Sequence, residues 1–90
     1  MEISFDPAKR LQTLEHRGLD FLDAPQVFSG LNFTLVDDRE DYGEERFITF
    51  GEADDRNVCI VWTIRDGTRR IISMRHAHDE EVEARRKALD

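Results

Sequence analysis

The chain has a single cysteine, no apolar run long enough to cross a membrane, and no signal-peptide pattern in its first residues. Cys59 alone permits no internal disulfide, and its place in an apolar segment marks a small core residue rather than a nucleophile. With neither a membrane span nor an export signal, the expected location is the cytoplasm. Internal repeats, low-complexity tracts and linkers are also missing. Residues 1–90 therefore read as one domain, large enough for a single two-layer core. Metal-ligand patterns are thin. His76-x-His78 with His16 is a weak zinc signal, and no cysteine or carboxylate stands at a clear ligand spacing, so neither metal nor other cofactor is expected. Positive charge is scarce too: 13 Lys and Arg stand against 20 Asp and Glu, a net charge of −7 that does not by itself suggest a nucleic-acid binder.

What charge there is lies unevenly. Asp37 to Asp55 holds nine acids and two arginines, whereas Arg56 to Arg75 holds five arginines and one acid. A basic segment in an acidic molecule can be a substrate-facing patch, because the local field matters more than the total. Equally, those arginines can pair with the acidic loop. Charge alone leaves both readings open.

The strongest local signal runs from Asn57 to His76. Two runs rich in Val, Ile and Thr flank Asp66-Gly67, the letters of a tight hairpin turn. With a loop of Asp66-Gly67-Thr68, Arg65 stands opposite Arg69 and Val61 opposite Ser73. One face is then apolar (Ile60, Trp62, Ile64, Ile72, Met74). The other carries Thr63, Arg65, Arg69, Ser73 and Arg75. A two-residue turn would slip the register by one and mix the faces.

Elsewhere, Ile3 to Phe5 suits a short strand. Asp6-Pro7 starts a helix, since Asp accepts from orphan N–H groups and Pro at the first position has none to waste. Gly18 ends it. Ala8, Leu11 and Leu14 form its apolar stripe, while Lys9, Thr13 and His16 share another face. A shorter helix within Gly18 to Gly30 buries Phe21, Ala24 and Phe28, and Pro25 requires it to start late or irregularly. Strands follow at Asn32–Val36 and Arg46–Phe50, the second stopped by Gly51, with Glu52 to Arg56 as a polar turn. Asp79 to Leu89 opens with acids and closes with bases, matching a helix dipole. The expected class is α+β: two N-terminal helices packed on a four-stranded antiparallel meander, plus a C-terminal helix. The two helices should cover the apolar face and leave the arginine face open.

Four stretches together resemble the BrnT family of bacterial type II toxins: FDPAKRLQTLEHRGLDF, DAPQVF, DDREDYGEERFITFG and VWTIRDGTRRIISMR. The likeness spans about Phe5 to Arg75. In the family's first helix a Lys is followed by Asn and then Lys-His-Gly. Here Lys9 is kept, Thr13 takes the Asn place, and the helix closes on Glu15-His16-Arg17-Gly18. The family's Arg-Lys-Ala reads Arg75-His76-Ala77. The resemblance implies a RelE-like fold, ribonuclease activity that blocks translation, and a BrnA antitoxin with a ribbon-helix-helix region. DNA would be met only through that antitoxin complex.

Metal-free RNA cleavage needs a base for the 2′-hydroxyl, an acid for the leaving oxygen, and cations for the pentavalent phosphorane. Arginine suits the last task because its planar fork meets phosphate oxygens bidentately. Arg65 and Arg75 share a face of adjacent strands and are the expected clamp, with Arg46 joining them or pairing with Glu44 or Glu45. His16, His76 and Lys9 are the proton-transfer candidates, although an ideal strand turns His76 away from Arg75. Thr63 and Ser73 line the same basic face. Tyr42 either stacks on a base or pins its loop, and Trp62 belongs to the core. Two other functions stay open: a toxin-like domain, weak or inactive as a catalyst, that only binds a protein, and a structural subunit that dimerises.

Overall fold

A computed structural model describes residues 1–89. Five strands form one sheet: β1 (Ile3–Phe5), β2 (Phe33–Asp37), β3 (Arg46–Ala53), β4 (Arg56–Arg65) and β5 (Thr68–His76). Their order is β1-β5-β4-β3-β2. Strands β2 to β5 make the expected antiparallel meander. The four-stranded sheet is nevertheless corrected to a mixed five-stranded one. β1 lies parallel to β5, with Ile3 beside Arg69 and Phe5 beside Ile71. Without β1, the unpaired N–H and C=O groups of β5 would form an open edge.

Three α-helices accompany the sheet: α1 (Pro7–Arg17), α2 (Ala24–Ser29) and α3 (Asp79–Lys87). Asp6 caps α1 by accepting from the Ala8 N–H at 2.9 Å, and Gly18 stops it at φ 68°. Pro25 falls in the first turn of α2, after a single 3-10 turn at Phe21–Asp23. There its missing N–H leaves no bond unmade.

The core lies between α2 with its approach segment and one face of the sheet. Leu19, Phe21, Ala24 and Val27 are buried there with Val58, Ile60, Trp62, Ile71 and Met74. The Trp62 indole N–H donates to Thr49 Oγ1 at 2.8 Å, while Phe28 and Phe47 pack against its ring. The opposite face is not bare as expected. There α3 brings Val82 over Ile48, Phe50 and Cys59. Cys59 is buried as expected, and that burial pushes its thiol up.

The position of α1 overturns another expectation. It contributes no buried residue, and Leu11 and Leu14 are exposed. Instead of lying on the sheet, α1 flanks its β5 side through polar contacts. Arg10 binds Asp20 at 2.7 and 2.9 Å, and the Arg17 guanidinium donates to the Met74 carbonyl at 2.8 Å.

Two turns are tighter than the spacing suggested. Asp66 and Gly67 both have positive φ (54° and 74°), so Arg65 pairs with Thr68 rather than Arg69. A bulge then restores register. Trp62 faces Ile71, Val61 faces Ser73 as expected, and Ile72 is the extra residue. Similarly, β3 does not stop at Gly51 but runs to Ala53, and Asp54-Asp55 alone make the turn.

Gly51 lets α2 approach. A Cβ there would stand 2.7 Å from Val27 Cγ1 and 3.3 Å from Asn32 Cβ. Gly51→Ala should therefore lower stability by about 1–3 kcal/mol through overpacking, read as a reduced midpoint in urea or thermal melts.

Candidate active site

The pleat of the sheet decides which charges can meet. Arg46, Thr63 and Arg70 form one lateral row across β3, β4 and β5. With strands about 4.8 Å apart, the backbones of Arg46 and Arg70 stand roughly 10 Å from each other. Arg65 lies two residues along β4, on the same face as Thr63. Asp6 and Lys9 enter from the start of α1. Together Asp6, Lys9, Arg46, Arg65, Arg70 and Ile72 line a concavity of about 130 Å³. Through Lys9 and Ile72 it continues into a groove of about 340 Å³ between α1 and β5, where Thr13, His16 and Ser73 stand. The spacing of Lys9, Thr13 and His16 puts all three on the side of α1 that faces this groove.

Carboxylates temper the arginines. Glu44, in the loop before β3, meets the Arg65 guanidinium at 2.9 and 3.2 Å and Arg46 Nε at 3.2 Å. The hydrogen bond from Arg65, helped by Arg46, holds the Glu44 carboxyl below its ordinary range. Arg46 also lies over the Tyr42 ring, 4.0 Å from its centre. Among the described residues, no ion pair includes Arg70.

Arg65, Arg46, Lys9, His16 and Ser73 are thus brought to one continuous depression. The expected pairing of Arg65 with Arg75 is not. Arg75 faces Cys59, six residues from Arg65 along β4, which separates the two by about 20 Å. Arg75 instead donates twice to Glu81 of α3, at 2.9 and 2.7 Å. The two arginines share a face but cannot hold one phosphate.

Three other candidates have structural partners. His76 lies on the other face, opposite Val58, where its Nε2 donates to the Arg17 carbonyl at 3.0 Å and ties down the end of α1. Thr63 is buried and donates to the Glu45 carbonyl at 2.6 Å, which positions the loop beside Arg46. Tyr42 is engaged by Arg46 on one side of its ring. Its hydroxyl also helps, after the stronger bond from Arg39, to hold the buried Asp37 carboxyl low.

The sequence spacing sets Arg70 on the apolar side of β5, gives its outward place to Arg69, and favours neither of these turn-flanking arginines as a site residue, whereas Arg70 stands opposite Thr63 on the open face. Arg69 turns inward, with its guanidinium 4.1 Å from the Phe28 ring centre and 5.0 Å from that of Trp62. The available signal was Asp66-Gly67 itself, the commonest kind of two-residue hairpin turn. Among the described residues, no three His, Cys, Asp or Glu side chains gather as a metal site, and no helix is long and apolar enough to cross a membrane.

A family model described as "Ribonuclease toxin, BrnT, of type II toxin-antitoxin system" matches residues 5–81. No curated protein matches the chain.

The Arg75–Glu81 contact predicts a pH dependence. Arg75 holds the Glu81 carboxyl below its ordinary range. The contact therefore stabilises the folded chain above the unfolded carboxylate pKa and is lost as pH falls through the lower folded value. Half-exposed pairs of this kind contribute about 1 kcal/mol or less. Glu81→Gln should be less stable than the parent at pH 7, and the difference should be smaller at roughly pH 3, below the unfolded carboxylate range. Urea melts at both pH values read it.

Proposed function

Because the chain belongs to the BrnT family of ribonuclease toxins of type II toxin–antitoxin systems, we propose that Arg46, Arg65 and Arg70 form its phosphate-binding surface. Lys9 and His16 stand beside it as the proton-transfer groups of a metal-independent cleavage. What carries this reading is the convergence of three guanidiniums and Lys9 on one concavity that opens into the His16 groove.

The chemistry follows from the placement. One group of the Lys9–His16 pair takes the proton of the 2′-hydroxyl, and the freed oxygen attacks phosphorus. The P–O5′ bond breaks, and the other group protonates the departing 5′-oxygen. Imidazole suits either step because its ordinary range lies near neutrality. Negative charge grows on the non-bridging oxygens as the phosphorane forms, and fixed guanidiniums oppose it most strongly at that moment. Ser73 and Thr13 offer hydroxyls to the ribose along the groove. In the cell, such cleavage in the cytoplasm would inhibit translation, within a RelE-like mode of action. A BrnA-like ribbon-helix-helix antitoxin would neutralise it and alone carry the pair to DNA.

A second reading, a toxin-like domain that only binds its partner, draws on one observation: Glu44 already engages two of the three arginines. Growth on induced expression separates the two, since only the nuclease arrests it in the absence of antitoxin.

The purified chain should fragment RNA in the presence of EDTA. Arg65→Ala or Arg70→Ala should reduce the rate by about 10²–10³. Arg75→Ala should change it by less than about threefold, because Arg75 holds α3 rather than phosphate. RNA left intact by a well-folded sample would overturn the assignment.

A further inference from the structure

The loop before β3 sets a carboxylate where the proposed reaction needs a phosphate. Glu44 Oε1 meets Arg65, and Oε2 meets both Arg65 and Arg46. A carboxylate presents two oxygens to guanidinium forks much as the two non-bridging oxygens of a phosphodiester do, and both carry one negative charge. The adjacent Glu45 is exposed, and no ion pair among the described residues includes it. The contact therefore belongs to one side chain and not to the acidic loop as a whole. Both ends of the loop are anchored independently, by Arg39 on Asp37 and by the Thr63 hydroxyl on the Glu45 carbonyl. Glu44 can swing away without unfolding either.

We infer that Glu44 is an internal competitor for the RNA phosphate, which the substrate must displace from Arg65 and Arg46. This rests on the phosphate-binding role proposed above for those arginines. The contact is suited to displacement. Arg65 is half exposed and Glu44 about a quarter exposed, so solvent screens the pair and keeps it weak. An incoming strand meets Arg70 and Lys9 as well, which Glu44 does not engage. Proton transfer is a poor alternative role, because both carboxylate oxygens are occupied and the two cations lower the basicity of the group.

Binding of a 2′-O-methyl oligoribonucleotide, which cannot be cleaved, tests the inference by fluorescence anisotropy at fixed salt. The parent is compared with Glu44→Gln and with Glu45→Gln, which removes the same charge one residue away. Glu44→Gln should bind roughly three- to fivefold tighter, Glu45→Gln less than about twofold, and Glu44→Gln should cleave ordinary RNA at least as fast as the parent. Equal affinity of the two variants, with the parent still binding and cleaving, overturns the inference and leaves the nuclease reading intact. Tighter binding with cleavage lost would make Glu44 a proton-transfer group and also overturn it. No binding by any of the three removes the phosphate site and the inference together.

Discussion

Between Trp62 and Val61 the central hairpin absorbs one extra residue, Ile72, and the facing of every β5 side chain beyond it, from Ser73 to His76, depends on it. The Asp66-Gly67 turn has only two residues, so on the turn side of the bulge Arg70, not Arg69, points to the open face. Without the bulge this register would continue along the strand. Met74 would then leave the core, and the apolar and charged sets would mix. With it, Ile71 and Met74 both stay inside while Arg70 joins Arg46 and Arg65 outside. Bulges commonly stand beside functional sites because they re-aim side chains in this way. Here one residue reconciles a tight turn with a continuous core.

The same sheet face has two distinct ends. Toward the β3–β4 turn it is apolar, and α3 lies over Ile48, Phe50 and Cys59, fastened by Arg75 on Glu81. Toward the Asp66-Gly67 turn it is charged, with α1 rising alongside as a wall. That wall is held by polar contacts from Arg10, Arg17 and His76 rather than by its leucines. A helix buried on the sheet would have had its Lys9–Thr13–His16 face turned to solvent. At the edge, that face looks onto the arginines.

An acidic molecule can still offer a cationic site if its few basic groups converge and most acids stay at a distance. Arg70 and Lys9 fit that description. Arg46 and Arg65 do not, since Glu44 reaches both. Of the two readings of charge left open by the sequence, pairing with the acidic loop is seen at Arg65, which Glu44 holds, while among the described residues no ion pair includes Arg70. The hairpin presents a basic patch, and the acidic loop partly neutralises it. Net charge could not separate them, because it carries no information about which side chains touch.

Local signals were sufficient wherever the cause is local. Asp6, Pro7 and Gly18 bound α1, Pro25 delays α2, and the β-branched run around Trp62 marks a strand. That Lys9 and His16 share one side of α1, and that Arg65 and Ser73 share one face of the sheet, was legible because spacing alone decides which side chains lie together. Contacts between distant segments were not legible. The parallel pairing of β1, the polar seat of α1, the covering of the second face by α3 and the capture of Arg75 by Glu81 all follow from what packs against what. A single-residue shift of register moves a side chain across the sheet with little change in local propensity. The sequence by itself therefore determined the elements and the stock of reactive groups, and only the tertiary structure decided which guanidiniums meet, because that depends on pairing across strands rather than on order along the chain.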